Sequence, residues 1–237
     1  MKYLLLILII AGKLHAQPGK QATSNVEAME MYRKVCALYA NSPGMDLRFK
    51  MLYYYDKEKT ASEIIDNCRA IRSAESAYSR YGKVELLYQK PYSINVDNEQ
   101  KIIYLDQYLD MRQLIQIPEP KALEELNAKF LLVNIQGNLN RILILPKDGE
   151  LKSVSVDFDI NTLYIKRYEI NYETEAEFGV NIKKHFRLEI QFTEQKFFNS
   201  PRQFPEFNYS RFIKKGTNNK VELTPLLSGY QFYNMLQ

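Results

Sequence analysis

Few residues in this chain have side chains suited to catalysis. Beyond the first residues the only histidine is His185, in KKHFRLEIQF. A nucleophilic triad needs an imidazole beside its nucleophile, and no GxSxG or active-site cysteine motif accompanies this histidine. The segment alternates, with Phe186, Leu188 and Ile190 on one side and His185 on the other. A strand with this alternation has one solvent-exposed face, so we expect His185 to be a surface residue.

Motifs for metal and phosphate chemistry are also missing. Cys36 and Cys68 belong to no CxxC pair, and one internal histidine cannot complete a zinc site. The nine glycines are scattered singly, without a P-loop or a GxGxxG motif. Asp157 and Asp159 could form an acid–base pair, although their alternation is more typical of the polar face of a strand. We therefore expect no catalytic residue, no metal and no cofactor, and an acid–base hydrolase is the remaining enzymatic alternative.

The N-terminus, MKYLLLILIIAGKLHAQPGKQA, has the layout of a secretory signal peptide. Its apolar run is too short to span a bilayer, and we place cleavage after Ala16, with 17–23 as a polar lead-in. A retained membrane anchor is the alternative. No cysteine lies just after the run, so we expect no acylated cysteine of the bacterial lipoprotein type. Nothing later approaches a transmembrane segment, and we expect a soluble, exported mature chain.

Export and charge limit the chemistry further. Two thiols in an oxidising compartment can form a disulfide, so Cys36 and Cys68 are either bridged or small buried hydrophobes. Losing Lys2 and Lys13 with the leader lowers the formal net charge from +4 to about +2. Nucleic-acid binding needs a concentrated basic face, and the short basic clusters here are typical of strand ends and turns. We expect no nucleic-acid partner.

The elements that must position these residues follow from hydrophobic periodicity. Ser24 and Glu27 form a capping-box pattern, and the apolar residues that follow at helical spacing predict a helix over 25–40. PEPKALEELNAKFLL predicts a second helix over 118–131. DLRFKMLYYYD alternates and predicts a first strand. Residues 60–76 fit a short helix or a polar strand, and we favour the helix.

The rest of the chain predicts many short strands joined by turns. Strand follows strand at short range, which favours an antiparallel arrangement, and there is no repeat or linker. We therefore expect one α+β domain over 24–237, with a strongly curved antiparallel sheet of eight or more strands. Eighteen tyrosines and twelve phenylalanines without tryptophan are typical of sheet packing. Alternatively they leave an apolar cavity beneath the helices.

The order of elements resembles the outer-membrane lipoprotein carriers of LolA and LolB type. The resemblance rests on the exported N-terminus, on AMEMYRKVCALYA, on the alternating segments from DLRFKMLYYYD to KKHFRLEIQF, and on the closing FIKKGTNNKVELTPLLSGYQFYNM. It implies a periplasmic protein with an unclosed β-barrel whose concave face is covered by helices. It also implies a cavity for the acyl chains of a lipid or lipoprotein.

The resemblance leads to a non-enzymatic binding hypothesis. A cavity that takes roughly a dozen acyl carbons gains on the order of 10 kcal/mol before association costs. The alternative is an envelope interaction or sensor module with a filled core, which binds a protein partner. The residues expected to line the cavity are Phe49, Met51, Tyr53, Val154, Val156, Phe158, Phe186, Leu188 and Ile190.

Overall fold

The computed structural model describes residues 24–55, 58–108, 117, 119–177, 183–216 and 220–236. The expected leader 1–16 and lead-in 17–23 lie outside this part. The α-helices in this part are α1 (Asn25–Asn41) and α2 (Pro120–Glu125). The strands are β1 (Gly44–Tyr55), β2 (Glu63–Ser73), β3 (Ser76–Tyr81), β4 (Val84–Gln89), β5 (Tyr92–Asp97), β6 (Ile102–Gln107), β7 (Lys129–Gln136), β8 (Leu139–Leu145), β9 (Leu151–Asp159), β10 (Ile165–Glu177), β11 (Lys183–Phe198), β12 (Ile213–Lys215), β13 (Val221–Leu223) and β14 (Gln231–Asn234).

Twelve of the described strands form one curved sheet. Its order is β14-β6-β5-β4-β3-β2-β1-β11-β10-β9-β8-β7. Neighbours are antiparallel except β14, which runs parallel to β6. The sheet does not close, so β14 and β7 are its two edges, and α1 and α2 lie on its concave face. The predicted α+β class and unclosed, curved antiparallel sheet are confirmed.

The first helix forms as its sequence predicts. The Glu27 amide donates to Ser24 Oγ at 3.3 Å, and the Ser24 amide donates to Glu27 Oε2 at 3.0 Å, which completes the capping box. The buried stripe consists of Ala28, Tyr32, Val35 and Tyr39. This stripe packs against the core of β7 to β11 and β1, so α1 fills one half of the concave face.

The favoured helix over 60–76 is wrong. These residues form β2, a turn with Ala74 at φ 50°, and the start of β3. The strand is bonded on both sides, to β1 and β3, and its two faces belong to different cores. Ala70 faces the core beneath α1, whereas Ile71 belongs to a second core. Because both faces are buried from Ala70 to Ser73, this half of β2 lacks the alternation of apolar and polar residues that identifies a strand.

The second helix is shorter than predicted. It covers Pro120–Glu125 instead of 118–131, and Asn127 then takes φ 51°. From Lys129 the chain is the edge strand β7, whose Phe130 amide donates to Asn25 Oδ1 of α1 at 2.6 Å. The apolar residues of this segment are therefore divided between α2 and β7. Strand pairing of β7 overrides the helix propensity of its residues.

The C-terminal segment forms a second core on the opposite face of β2 to β6. Phe207, Phe212 and Ile213 pack there against apolar residues of the sheet such as Leu87 and Ile94. The chain does not approach Ile213 as a strand: 3-10 turns occupy Pro205–Phe207 and Tyr209–Arg211, and β12 begins at Ile213. The last strand, β14, follows at Gln231–Asn234. No helix within the described ranges is both long and apolar enough to cross a membrane.

Candidate functional site

A cavity of about 600 Å³ lies on the concave face between α1, Ile117 with residues 119–124, and the paired parts of β1 and β2. Its position between helices and sheet is where the sequence predicts a binding site. The residues that line it are Arg33, Cys36, Ala37, Tyr39, Ala40, Met45, Leu47, Arg72, Ile117, Glu119, Pro120, Lys121 and Glu124. We call it the α1 cavity.

The α1 cavity combines an apolar floor with a charged rim. Met45 and Leu47 of β1 are buried beneath it, while Ala37 and Ala40 line it from the exposed side of α1. At the rim Arg33 pairs with Glu124 at 2.5 Å, with both side chains well exposed. An exposed pair of this kind contributes little to stability, so its separation is a small cost for a ligand that enters between α1 and α2.

Arg72 is a buried cation in the wall of the α1 cavity. It stands opposite Met45 in the register of β1 and β2 and is 6% exposed. Its Nη2 donates to the carbonyl oxygens of Tyr39 and Ser42, at 2.6 and 3.0 Å. Carbonyls at the end of a helix carry partial negative charge, so Arg72 fixes the C-terminus of α1 to the sheet.

Tyr39 fixes the same helix end to two further strands. Its hydroxyl donates to Gln195 Oε1 and accepts from the Ile165 amide at 2.8 Å. Gln195 Nε2 closes the triangle on the Ile165 carbonyl at 2.7 Å. Burial raises the pKa of Tyr39, so the hydroxyl stays protonated and able to donate. These hydrogen bonds hold the C-terminal end of α1 against β10 and β11.

Both cysteines are free thiols in this structure. Cys36 is in the wall of the α1 cavity, where burial raises its pKa to about 11. Cys68 is buried in β2, and its Sγ donates to the Ile65 carbonyl at 3.4 Å. The two thiols have separate partners, and no bridge joins them here.

The nine residues predicted to line a cavity fall into two groups, and none of them lines the α1 cavity. Five belong to the closed core: Phe49, Val154, Val156, Phe158 and Ile190. Four are half-buried: Met51, Tyr53, Phe186 and Leu188. The Phe186 ring contacts the rings of Tyr53, Tyr55 and Tyr172 at centroid distances of 5.7, 6.2 and 5.4 Å.

Sequence reasoning missed the cavity because it followed the largest apolar side chains. Those side chains pack against the buried stripe of α1, whereas the cavity lies beside the stripe, over Ala37 and Ala40. Small residues at i and i+3 next to an apolar stripe were the available signal, since they leave space where large ones fill it.

The residues considered for catalysis have structural roles or lie outside the described part. Asp157 is 6% exposed and is paired with Arg141 at 2.5 Å and Arg167 at 3.0 Å. Asp159 accepts from the Thr162 and Asn161 amides, which lowers its pKa. The side chain of His185 is outside the described part of β11. No described group of three or more His, Cys, Asp or Glu side chains is placed to hold a metal.

Comparison with known proteins finds similarity in structure. No model of a protein family and no curated protein matches the sequence. A solved outer-membrane lipoprotein-sorting protein domain from Vibrio parahaemolyticus is similar over 73% of this chain and 93% of its own, with 9% identity and a TM-score of 0.36. A DUF1329 family protein from Desulfovibrio piger is similar over 74% and 94%, with 7% identity and a TM-score of 0.34.

The complex of MucA and MucB from Pseudomonas aeruginosa is also similar. Here the match covers 75% of this chain and 59% of that chain, with 12% identity and a TM-score of 0.42. These likenesses concern fold alone. The unclosed sheet with α1 and α2 on its concave face is the architecture implied by the resemblance to the LolA and LolB type.

Proposed function

We propose that this chain is a non-enzymatic periplasmic binding protein that holds one acyl chain of a lipid, or of an acylated lipoprotein, in the α1 cavity. The observation that carries this function is the cavity itself, with its apolar floor and charged rim between helix and sheet. A volume of about 600 Å³ lies within the range typical of small-molecule sites, roughly 300–1,000 Å³.

The arrangement of side chains suits an amphiphile. Met45, Leu47 and Ile117 offer apolar surface for methylene groups, each worth about 0.8 kcal/mol when buried. Arg33 and Lys121 lie in the wall with Glu119 and Glu124. A polar head group near α2 would therefore contact both positively and negatively charged side chains. The acyl chain therefore points toward β1 and the head toward α2.

A filled core supports the second candidate, an envelope interaction module. Val154, Val156 and Phe158 have no exposed surface beneath α1, so much of the concave face offers no room for a ligand. The edge strand β7 also exposes Val133 and Ile135, at 40% and 41%. An exposed sheet edge with apolar side chains is suited to pairing with an extended segment of another protein.

Titration with a fluorescent fatty acid separates the two candidates. Ala37→Phe places a ring in the α1 cavity from an exposed position of α1, and Ala122→Phe makes the same change on exposed α2 outside the cavity wall. If the ring displaces about two methylene groups, affinity falls roughly tenfold. We expect this loss in A37F and wild-type affinity in A122F.

Two results would contradict the proposed function. One is a wild-type protein that binds no fatty acid and carries no lipid in native mass spectrometry after purification from its own envelope. The other is an equal affinity of A37F and A122F, which would place the ligand elsewhere. Periplasmic export has its own test, because N-terminal sequencing of the exported protein should begin at Gln17.

A further inference from the structure

A basic pocket lies where β1 is flanked by β2 and β11, and its charged side chains leave the sheet on the face opposite α1. Its volume is about 240 Å³. The walls are formed by Arg48, Phe49, Lys50, Asp66, Asn67, Cys68, Arg69, Arg80 and Thr193. Four of these residues are cations and one is an anion. The pocket is separate from the α1 cavity, and the two share no lining residue.

Three arginines form a row across the sheet at this pocket. Arg48 of β1 is directly opposite Arg69 of β2, which is directly opposite Arg80 of β3. Neighbouring strands are about 4.8 Å apart, so all three side chains leave the same face within about 10 Å. Like charges in directly opposed positions destabilise a sheet. The row therefore needs carboxylates beside it, and Asp46 and Glu206 pair with its central member, Arg69.

The cations of the pocket differ in how they are neutralised. Arg69 donates to both carboxylate oxygens of Asp46, at 2.8 and 2.9 Å, and to Glu206 at 2.5 Å. These bonds fix its position and satisfy most of its donors. Arg48 pairs with Glu194 at 3.1 Å, but their side chains are 55% and 42% exposed, so this pair is weak.

Lys50 and Arg80 complete the pocket. Neither forms an ion pair within the described residues, although Glu85 of β4 is directly opposite Arg80 in the register, where it pairs with Arg211 at 3.2 Å. Two unpaired cations therefore border a pocket that already contains Arg48 and Arg69. Asp66 is the one carboxylate in its walls. Asp46, Glu206 and Glu194 outside the walls pair with Arg69 and Arg48, so Lys50 and Arg80 carry the positive charge that remains.

Two irregularities of the sheet open this pocket. The register of β1 with β11 shifts between Arg48 and Phe49, which leaves Thr193 without an opposite residue. The register of β1 with β2 shifts between Phe49 and Met51, where Asn67 takes φ 57°. Bulges redirect side chains and are enriched beside functional sites. The bulges in β11 and β2 lie on either side of the same part of β1. Together they leave a concavity in the surface of the sheet.

We propose that the basic pocket binds a phosphate group. A phosphate presents several acceptor oxygens and up to two negative charges, and guanidinium groups pair with it through two parallel hydrogen bonds. Arg48, Lys50 and Arg80 surround the group from β1 and β3, above the fixed Arg69. Thr193 and Asn67 add neutral donors. This site does not depend on the proposed function of the α1 cavity.

Isothermal titration with inorganic phosphate at low ionic strength tests the site. The double variant Lys50→Gln/Arg80→Gln removes the two unpaired cations, and Lys152→Gln removes an exposed, unpaired lysine of β9 as a matched control. We expect the double variant to bind phosphate at least about tenfold more weakly, because charge-assisted hydrogen bonds are lost, and K152Q to bind as wild type. Removing like charges relieves repulsion, so the double variant should unfold at no lower urea concentration than wild type.

Vesicles distinguish the source of the phosphate. The test is whether the protein sediments with phosphatidylcholine vesicles that contain phosphatidic acid but not with vesicles of phosphatidylcholine alone. If K50Q/R80Q abolishes this sedimentation, the phosphate belongs to a lipid head group. Binding of inorganic phosphate alone, with the same loss in the double variant, indicates a soluble phosphate compound. The proposal fails if wild type binds neither probe, or if the double variant and K152Q bind phosphate equally.

Discussion

The substitution Tyr39→Phe tests whether the hydrogen-bonded triangle at the end of α1 stabilises the protein. The variant keeps the ring, which contacts Phe197 edge-on at 5.2 Å and Phe192 at 6.4 Å. It removes only the hydroxyl, which accepts from the Ile165 amide and donates to Gln195. Any change in stability therefore reports the hydroxyl and not the packing of the ring.

The expected cost follows from the two groups that lose their partner. Tyr39 is 6% exposed, and the buried Ile165 amide would face a ring edge with no access to bulk water. A buried polar group left without a hydrogen bond costs about 1–3 kcal/mol. Gln195 can rotate toward solvent because it is only partly buried, so we count mainly the amide and expect a loss of about 2 kcal/mol.

Tyr168→Phe is the matched control. Tyr168 is 1% exposed, and its hydroxyl has no hydrogen-bond partner in the described structure. Removing this hydroxyl therefore relieves a buried polar group, and the free energy of unfolding should stay unchanged or rise. Equilibrium unfolding in urea, followed by circular dichroism, measures both variants. The reasoning is refuted if Y39F lies within about 0.5 kcal/mol of wild type, or if Y168F is destabilised as much as Y39F.

Two further predictions concern titratable side chains. Denatured, unreduced protein should show two thiols that react with a thiol reagent. The thiols of native protein should react slowly, because burial raises the pKa of Cys36 to about 11 and also raises the pKa of Cys68. If the denatured protein shows no thiols, the cysteines form a disulfide. Burial raises the pKa of Tyr53 and of Tyr78 to about 12, from about 10 in an unfolded chain. The native state holds these protons more tightly, so the free energy of unfolding should fall as pH rises from about 10 to 12, and a urea midpoint that stays constant over this range would contradict the prediction.

The sequence determined the elements whose signals are local. Ser24 and Glu27 are three residues apart, so the capping box and α1 follow from neighbours in the chain. DLRFKMLYYYD gave β1 through its alternation, because its face toward α1 is apolar. The turn between β5 and β6 is equally local, since the Glu99 and Gln100 amides donate to Asp97 Oδ1. Together these patterns predicted the class of fold.

The tertiary structure decided which faces are covered. Residues 60–76 carry a helix-like pattern because Ala70 and Ile71 are buried in different cores, one beneath α1 and one beneath the C-terminal segment. The sequence does not show that residues near 207–213 return to the sheet, because the contact joins positions far apart in the chain. A strand buried on both faces has lost the alternation that would identify it.

Both candidate sites also depend on long-range placement. The α1 cavity exists because Ile117 and residues 119–124 come together with Ala37 and Ala40 around one space. The basic pocket exists because the register places Arg48, Arg69 and Arg80 in one row. Periodicity assigns a residue to a face of its own element, which is a local property. The residue that stands opposite is set by register and bulges, which depend on the packing of the whole sheet.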